Sequence, residues 1–81
     1  MKTTIKFFAK ARDLAGTASL EIDLPESATA TDLRSALGEQ IPALRPMLAS
    51  LLVAVGNDYA SPTTSVSGRT DIAVFPPVSG G

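Results

Sequence analysis

Ser19-Leu20-Glu21-Ile22-Asp23-Leu24-Pro25 alternates apolar and polar side chains, and no other stretch constrains the fold as tightly. Successive side chains of a strand point to opposite faces, so Leu20, Ile22 and Leu24 share one face and Ser19, Glu21 and Asp23 the other. A strand of this kind has one wet face and one face that needs a covering layer. Pro25 closes it, because proline brings no N–H to a ladder.

The covering layer follows at once. Thr29-Ala30-Thr31-Asp32 predicts a helix start in which the Thr29 hydroxyl accepts from the third N–H and Asp32 reaches back. Leu33, Ala36 and Leu37 fall on one stripe, and Gly38 is placed to stop the helix. Pro42 and Pro46 predict an irregular connector over residues 39–47 with a short helical turn.

Four further strands are expected. Thr3 to Ala9 puts Ile5 and Phe7 on one side and Lys6 and Phe8 on the other. It pairs with 19–24 as an antiparallel hairpin through a connector at 11–17 that can hold a helical turn, with Gly16 supplying a turn. Leu51 to Val55 lacks polar alternation and suits a strand buried on both faces. After the turn Gly56-Asn57-Asp58, Tyr59-Ala60 starts a short return strand, and residues 61–70 are loop. Asp71 to Phe75 is the last strand, with Ile72 and Val74 inward and Phe75 outward. This order predicts an α+β fold of the β-grasp, ubiquitin-like kind, a mixed sheet with its first and last strands side by side and one main covering helix. The domain is expected over residues 1–75, with an extended tail over 76–81.

The 81 residues contain neither cysteine nor histidine. The commonest nucleophile, general base and metal ligands are therefore missing, which argues against an autonomous hydrolase, a zinc enzyme or any metal site. Asp58, Asp71 and Glu39 are too scattered to hold a metal. Seven Lys and Arg against eight Asp and Glu leave no basic footprint for nucleic acid. No apolar run reaches the ~20 residues of a membrane span, and the start lacks a leader's apolar stretch, so a cytoplasmic location is expected. Lys2, Lys6 and Lys10 are spaced by four, but the strand pattern overrides a helical reading and leaves them as solubilising charges. Arg12, Arg34, Arg45 and Arg69 read as surface charges, any of which could meet an acidic partner.

The remaining chemistry lies at the carboxyl end, Phe75-Pro76-Pro77-Val78-Ser79-Gly80-Gly81. Two glycines make a thread without side chains that can enter a narrow active site. Pro76-Pro77 stiffens its base, and residues 76–81 reach roughly 20 Å when extended. A terminal carboxyl has a pKa of about 3.3–3.7, so Gly81 is expected to be ionised and to need activation before any attack on it.

On these residues the chain resembles the small, MoaD-type subunit of molybdopterin synthase. The resemblance rests on Phe7-Phe8-Ala9, Ala11-Arg12, Gly16, Leu24-Pro25, Thr29, Asp32-Leu33-Arg34, Leu37, Val53-Ala54-Val55, Asp71-Ile72-Ala73 and the tail from Phe75 to Gly81. It implies a sulfur carrier that binds no cofactor itself. An E1-like adenylyltransferase would use ATP to make a Gly81 acyl-adenylate, which becomes a thiocarboxylate. The synthase large subunit, in a heterotetramer of two small and two large chains, would take the sulfur onto cyclic pyranopterin monophosphate. The same resemblance places Gly80 and Ser79 in the inserted tail and Phe7, Phe75, Pro76, Pro77 and Val78 at the partner contact. For Phe7 and Phe75, core packing is the competing role. Two turns depart from the family pattern: Gly68-Arg69-Thr70-Asp71 stands where an acidic turn is usual, and Val55-Gly56-Asn57 where Val-Asn is frequent. The alternative functions are a sulfur carrier for another pathway such as thiamine synthesis, a ubiquitin-like protein modifier, and a plain interaction domain.

Overall fold

The computed structural model describes residues 1–77. The elements are β1 (Lys2–Phe7), α1 (Ala9–Ala15), β2 (Ser19–Asp23), α2 (Ala30–Gln40), a 3₁₀ segment (Pro42–Ser50), β3 (Leu52–Val55), β4 (Asp58–Tyr59) and β5 (Ile72–Phe75). One sheet runs in the order β2-β1-β5-β3-β4, with β1 and β5 parallel at its centre and the other pairs antiparallel. The expected mixed sheet with adjacent first and last strands is therefore present, and the fold is the β-grasp.

The inner face is the one the alternation predicts. Ile5, Phe7, Ile22, Val53, Ile72 and Val74 are buried in a single cluster with Leu33 and Leu37 of α2 and Leu44 of the 3₁₀ segment. Burying a side chain of this size stabilises by about 1.5–3 kcal/mol, so this layer outweighs any single turn or cap. The helix start forms as the sequence predicts, with Thr29 and Asp32 satisfying each other's backbone N–H groups. The 61–67 loop adds to it: the Thr64 and Pro62 carbonyls accept from the N–H groups of Ala30 and Thr31 at 2.9 and 3.2 Å. Val66 anchors that loop in the core.

The connector after β1 holds its helical turn as a full helix, α1, closed by Gly16 at φ 74° with its N–H on the Arg12 carbonyl, so β1 and β2 pair antiparallel without a tight hairpin turn. Three expectations need correction. Gly38 does not stop α2, which continues to Gln40. A Cβ on Gly38 would lie 2.7 Å from Leu48 Cδ1, so a larger residue would have to displace that side chain. The connector holding Pro42 and Pro46 is a nine-residue 3₁₀ segment. Two arginines staple it to α2: Arg34 Nη1 donates to the Leu48 carbonyl at 2.7 Å and Arg45 Nε to the Gly38 carbonyl at 2.8 Å. Finally, β3 is buried on one face only, Val53 inward and Leu52 and Ala54 half-buried on the other. Its short apolar run concealed which face was covered.

Candidate docking and transfer site

Because β1 and β5 run parallel, their carboxyl ends emerge at the same end of the sheet. The Phe8 N–H donates to the Val74 carbonyl at 3.1 Å, so Phe8 prolongs this pairing beside Phe75. The chain leaves the sheet at Phe75, through half-buried Pro76 and exposed Pro77, and heads toward Gly81 from there. Val78, Ser79, Gly80 and Gly81, expected in the tail, lie outside the described residues.

The uncovered face of the sheet carries aromatic side chains next to this exit. Tyr59 is 73% exposed and Phe8 49%. Phe75 is half-buried and points outward, as the inward placing of Ile72 and Val74 requires. The Tyr59 and Phe75 rings lie 6.1 Å apart, tilted by 48°, within the range of favourable aromatic pairs. Leu52 sits opposite Phe75, and Ala73 opposite Ala54, so small side chains leave a shallow apolar floor between the rings. Two exposed aromatic rings beside a half-buried apolar sheet face are the kind of surface that a partner covers.

Phe7, expected among the contact residues, is a core residue instead. It is 1% exposed and has no side-chain surface to offer a partner. Phe8 and Tyr59 were missed. The alternation of β1, with Ile5 and Phe7 inward, already placed Phe8 outward, and that signal was sufficient. Tyr59 could be placed only once β4 was paired to β3 through Ala54.

The two departing turns meet. Arg69 clamps Asp71 with Nε to Oδ1 at 2.8 Å and Nη2 to Oδ2 at 2.6 Å. This charge-assisted pair holds the Asp71 carboxyl below the usual carboxylate range and raises the Arg69 guanidinium. The N–H of Gly56, at φ 63°, donates to the Asp71 carbonyl at 3.0 Å. The turn before β5 is thus electrically neutralised. Among the described residues no three His, Cys, Asp or Glu side chains converge as metal ligands, and no helix is long and apolar enough to cross a membrane.

A small β-grasp domain with an apolar face at the exit of a Gly-Gly tail has the architecture of the ubiquitin-like sulfur carriers. The chain belongs to the ThiS family, whose model matches residues 5–81. It is 35% identical over 79 residues to the molybdopterin synthase sulfur carrier subunit of Caenorhabditis elegans, covering 95% of this chain and 94% of that one. Among solved structures it is similar to SAMP1 from Haloferax volcanii, with a TM-score of 0.86 and 27% identity over the whole of both chains. It also resembles a putative molybdopterin converting factor, subunit 1, from Pyrococcus furiosus, with a TM-score of 0.84 and 30% identity over 96% of this chain and 99% of that one.

Proposed function

We propose that this chain is the sulfur carrier subunit of a cytoplasmic molybdopterin synthase. The observation that carries the reading is the grouping of exposed Phe8 and Tyr59 with half-buried Phe75 at the end of the sheet from which the tail departs. Recognition and delivery then occur at neighbouring places, and the named relatives support the pathway.

The chemistry follows from the terminus. The Gly81 carboxylate attacks the α-phosphorus of ATP on an E1-like adenylyltransferase, and pyrophosphate leaves. Sulfide-level sulfur (HS−) supplied by a donor attacks the acyl carbon, AMP leaves, and the end becomes a thiocarboxylate. The large subunit docks on the aromatic face, receives the tail and holds cyclic pyranopterin monophosphate. Sulfur passes to that substrate, and Gly81 returns to a carboxylate once water supplies the oxygen. Two carriers and two large subunits make up the working complex. The carrier contributes position, turning a bimolecular encounter into a local one, and no acid–base group. Pro76 and Pro77 aim the arm, and Ser79 and Gly80 keep its end narrow.

The test is reconstitution with the large subunit, the adenylyltransferase and a sulfur donor. Gly81→Ala, or one added residue, is expected to abolish sulfur transfer with the fold intact. Full synthase activity in either variant would refute the reading. The likeness to a small archaeal modifier protein favours one second reading, attachment of Gly81 to lysines of other proteins. Isopeptide adducts on the source organism's proteins would support it.

A further inference from the structure

The cations of this chain divide into two groups. Arg34 and Arg45 are held by carbonyls between α2 and the 3₁₀ segment, and Arg69 is held by Asp71. Lys2, Lys6, Lys10 and Arg12 are all exposed, and none of them forms an ion pair among the described residues. These four occupy β1 and α1, the part of the chain that borders β5.

Topology places three of them near the tail. Lys6 lies opposite Ala73, Ala73 opposite Ala54, and Ala54 opposite Tyr59, so Lys6 ends the row that forms the apolar floor. Lys10 follows in the first turn of α1, two residues beyond Phe8, and Arg12 two residues further on. Of the acids of β2, Asp23 pairs across from Lys2, toward the opposite end of β1, and Glu21 across from Thr4, diagonal to Lys6 but in no ion pair with it among the described residues. Asp58 lies on the far edge, in β4, and Asp13 is the one acid on α1. The docking face is therefore apolar in the middle with Lys6 on its β1 side, and exposed Lys10 follows just past Phe8 where the chain turns into α1.

We propose that this cationic side is read by the partner, whose apolar hollow is bordered by carboxylates that meet Lys6 and Lys10. The proposal rests on the docking reading above and adds the chemistry of the partner's rim. Rim charges in water contribute little to final affinity but steer encounter, so they act on the association rate and make it salt-dependent. They also orient the carrier, because the positive side fits only one edge of the hollow. Lys6 and Lys10 thereby set which way the tail points at contact.

The experiment follows association of the full chain with the purified large synthase subunit of the same organism by stopped-flow, at low and at high salt. The wild-type rate is expected to fall as salt rises. Lys6→Glu with Lys10→Glu should lower the low-salt rate about tenfold, with the difference closing at high salt. Lys6→Gln with Lys10→Gln, which introduces no repulsion toward Glu21, should give a smaller loss in the same direction. Phe75→Asp should act chiefly on dissociation. A salt-independent wild-type rate, or charge-reversed carriers that associate as fast as wild type, overturns the inference and leaves the docking reading standing if Phe75→Asp still weakens the complex. Absence of any complex with the wild-type chain refutes both.

Discussion

Phe7 and Phe8 are adjacent in sequence and opposite in role, and this pair gives the sharpest prediction. Phe7 is 1% exposed inside the cluster with Ile5, Leu33 and Val74, whereas Phe8 is 49% exposed beside Phe75. Truncating a buried phenylalanine costs about 3–5 kcal/mol through lost transfer and the cavity left behind. A domain of this length has roughly 4–12 kcal/mol of stability in total, so Phe7→Ala should leave the chain largely or partly unfolded. Phe7→Leu keeps most of the volume and should cost about 1–2 kcal/mol, enough to lower Tm by about 4–8 °C per kcal/mol. Phe8 buries only half its surface, so Phe8→Ala should cost about 1 kcal/mol. On binding the order reverses. An aromatic anchor at an interface is worth about 2 kcal/mol or more, so Phe8→Ala should raise Kd for the large subunit by about thirtyfold, while Phe7→Leu should leave it near wild type. Urea unfolding followed by circular dichroism, with calorimetric titration of the large subunit, measures both. Equal destabilisation by Phe7→Ala and Phe8→Ala, or a Kd unchanged by Phe8→Ala, would refute the division into an inner and an outer phenylalanine.

Thr29→Ala removes the acceptor for the Asp32 N–H and should cost about 1 kcal/mol, read as a lower urea midpoint at unchanged slope. Gly38→Val forces a side chain into the space of Leu48 Cδ1 and should cost about 1–3 kcal/mol; adding Leu48→Ala should recover part of it in a double-mutant cycle. Asp71 has a folded pKa lowered by Arg69, so its contribution is present above the unfolded value of about 3.9 and is lost as pH falls through the lowered folded value. The stability difference between wild type and Asp71→Asn should accordingly shrink on acidification below about pH 4, and a difference that grows there would contradict the sign.

The parts of the fold legible in the sequence were those with a local period or a local cap. The alternation of 19–24 fixed an inner face, Thr29 and Asp32 marked a helix start, and the order of elements implied neighbouring terminal strands. Tertiary fit was hidden. Gly38 looked like a stop because nothing in the sequence places Leu48 against it, and the arginine staples that hold the prolines in a 3₁₀ segment join residues up to 14 apart. The candidate site was legible where it is a motif, at the tail base Phe75-Pro76-Pro77, and was misread where it is a surface. The alternation of β1 separates buried Phe7 from exposed Phe8, although the family resemblance implies Phe7 at the contact. Tyr59 and the row ending at Lys6 became visible only once the strands were in register.

The most direct measurement on the central claim is the intact mass of this chain, recovered from its source organism by pull-down on the large synthase subunit. The account predicts a free carrier whose mass is raised by the replacement of one oxygen by sulfur, localised to Gly81 by fragmentation and absent in Gly81→Ala. A chain bound to the large subunit that never carries sulfur at Gly81, under conditions in which molybdopterin is being made, would contradict it.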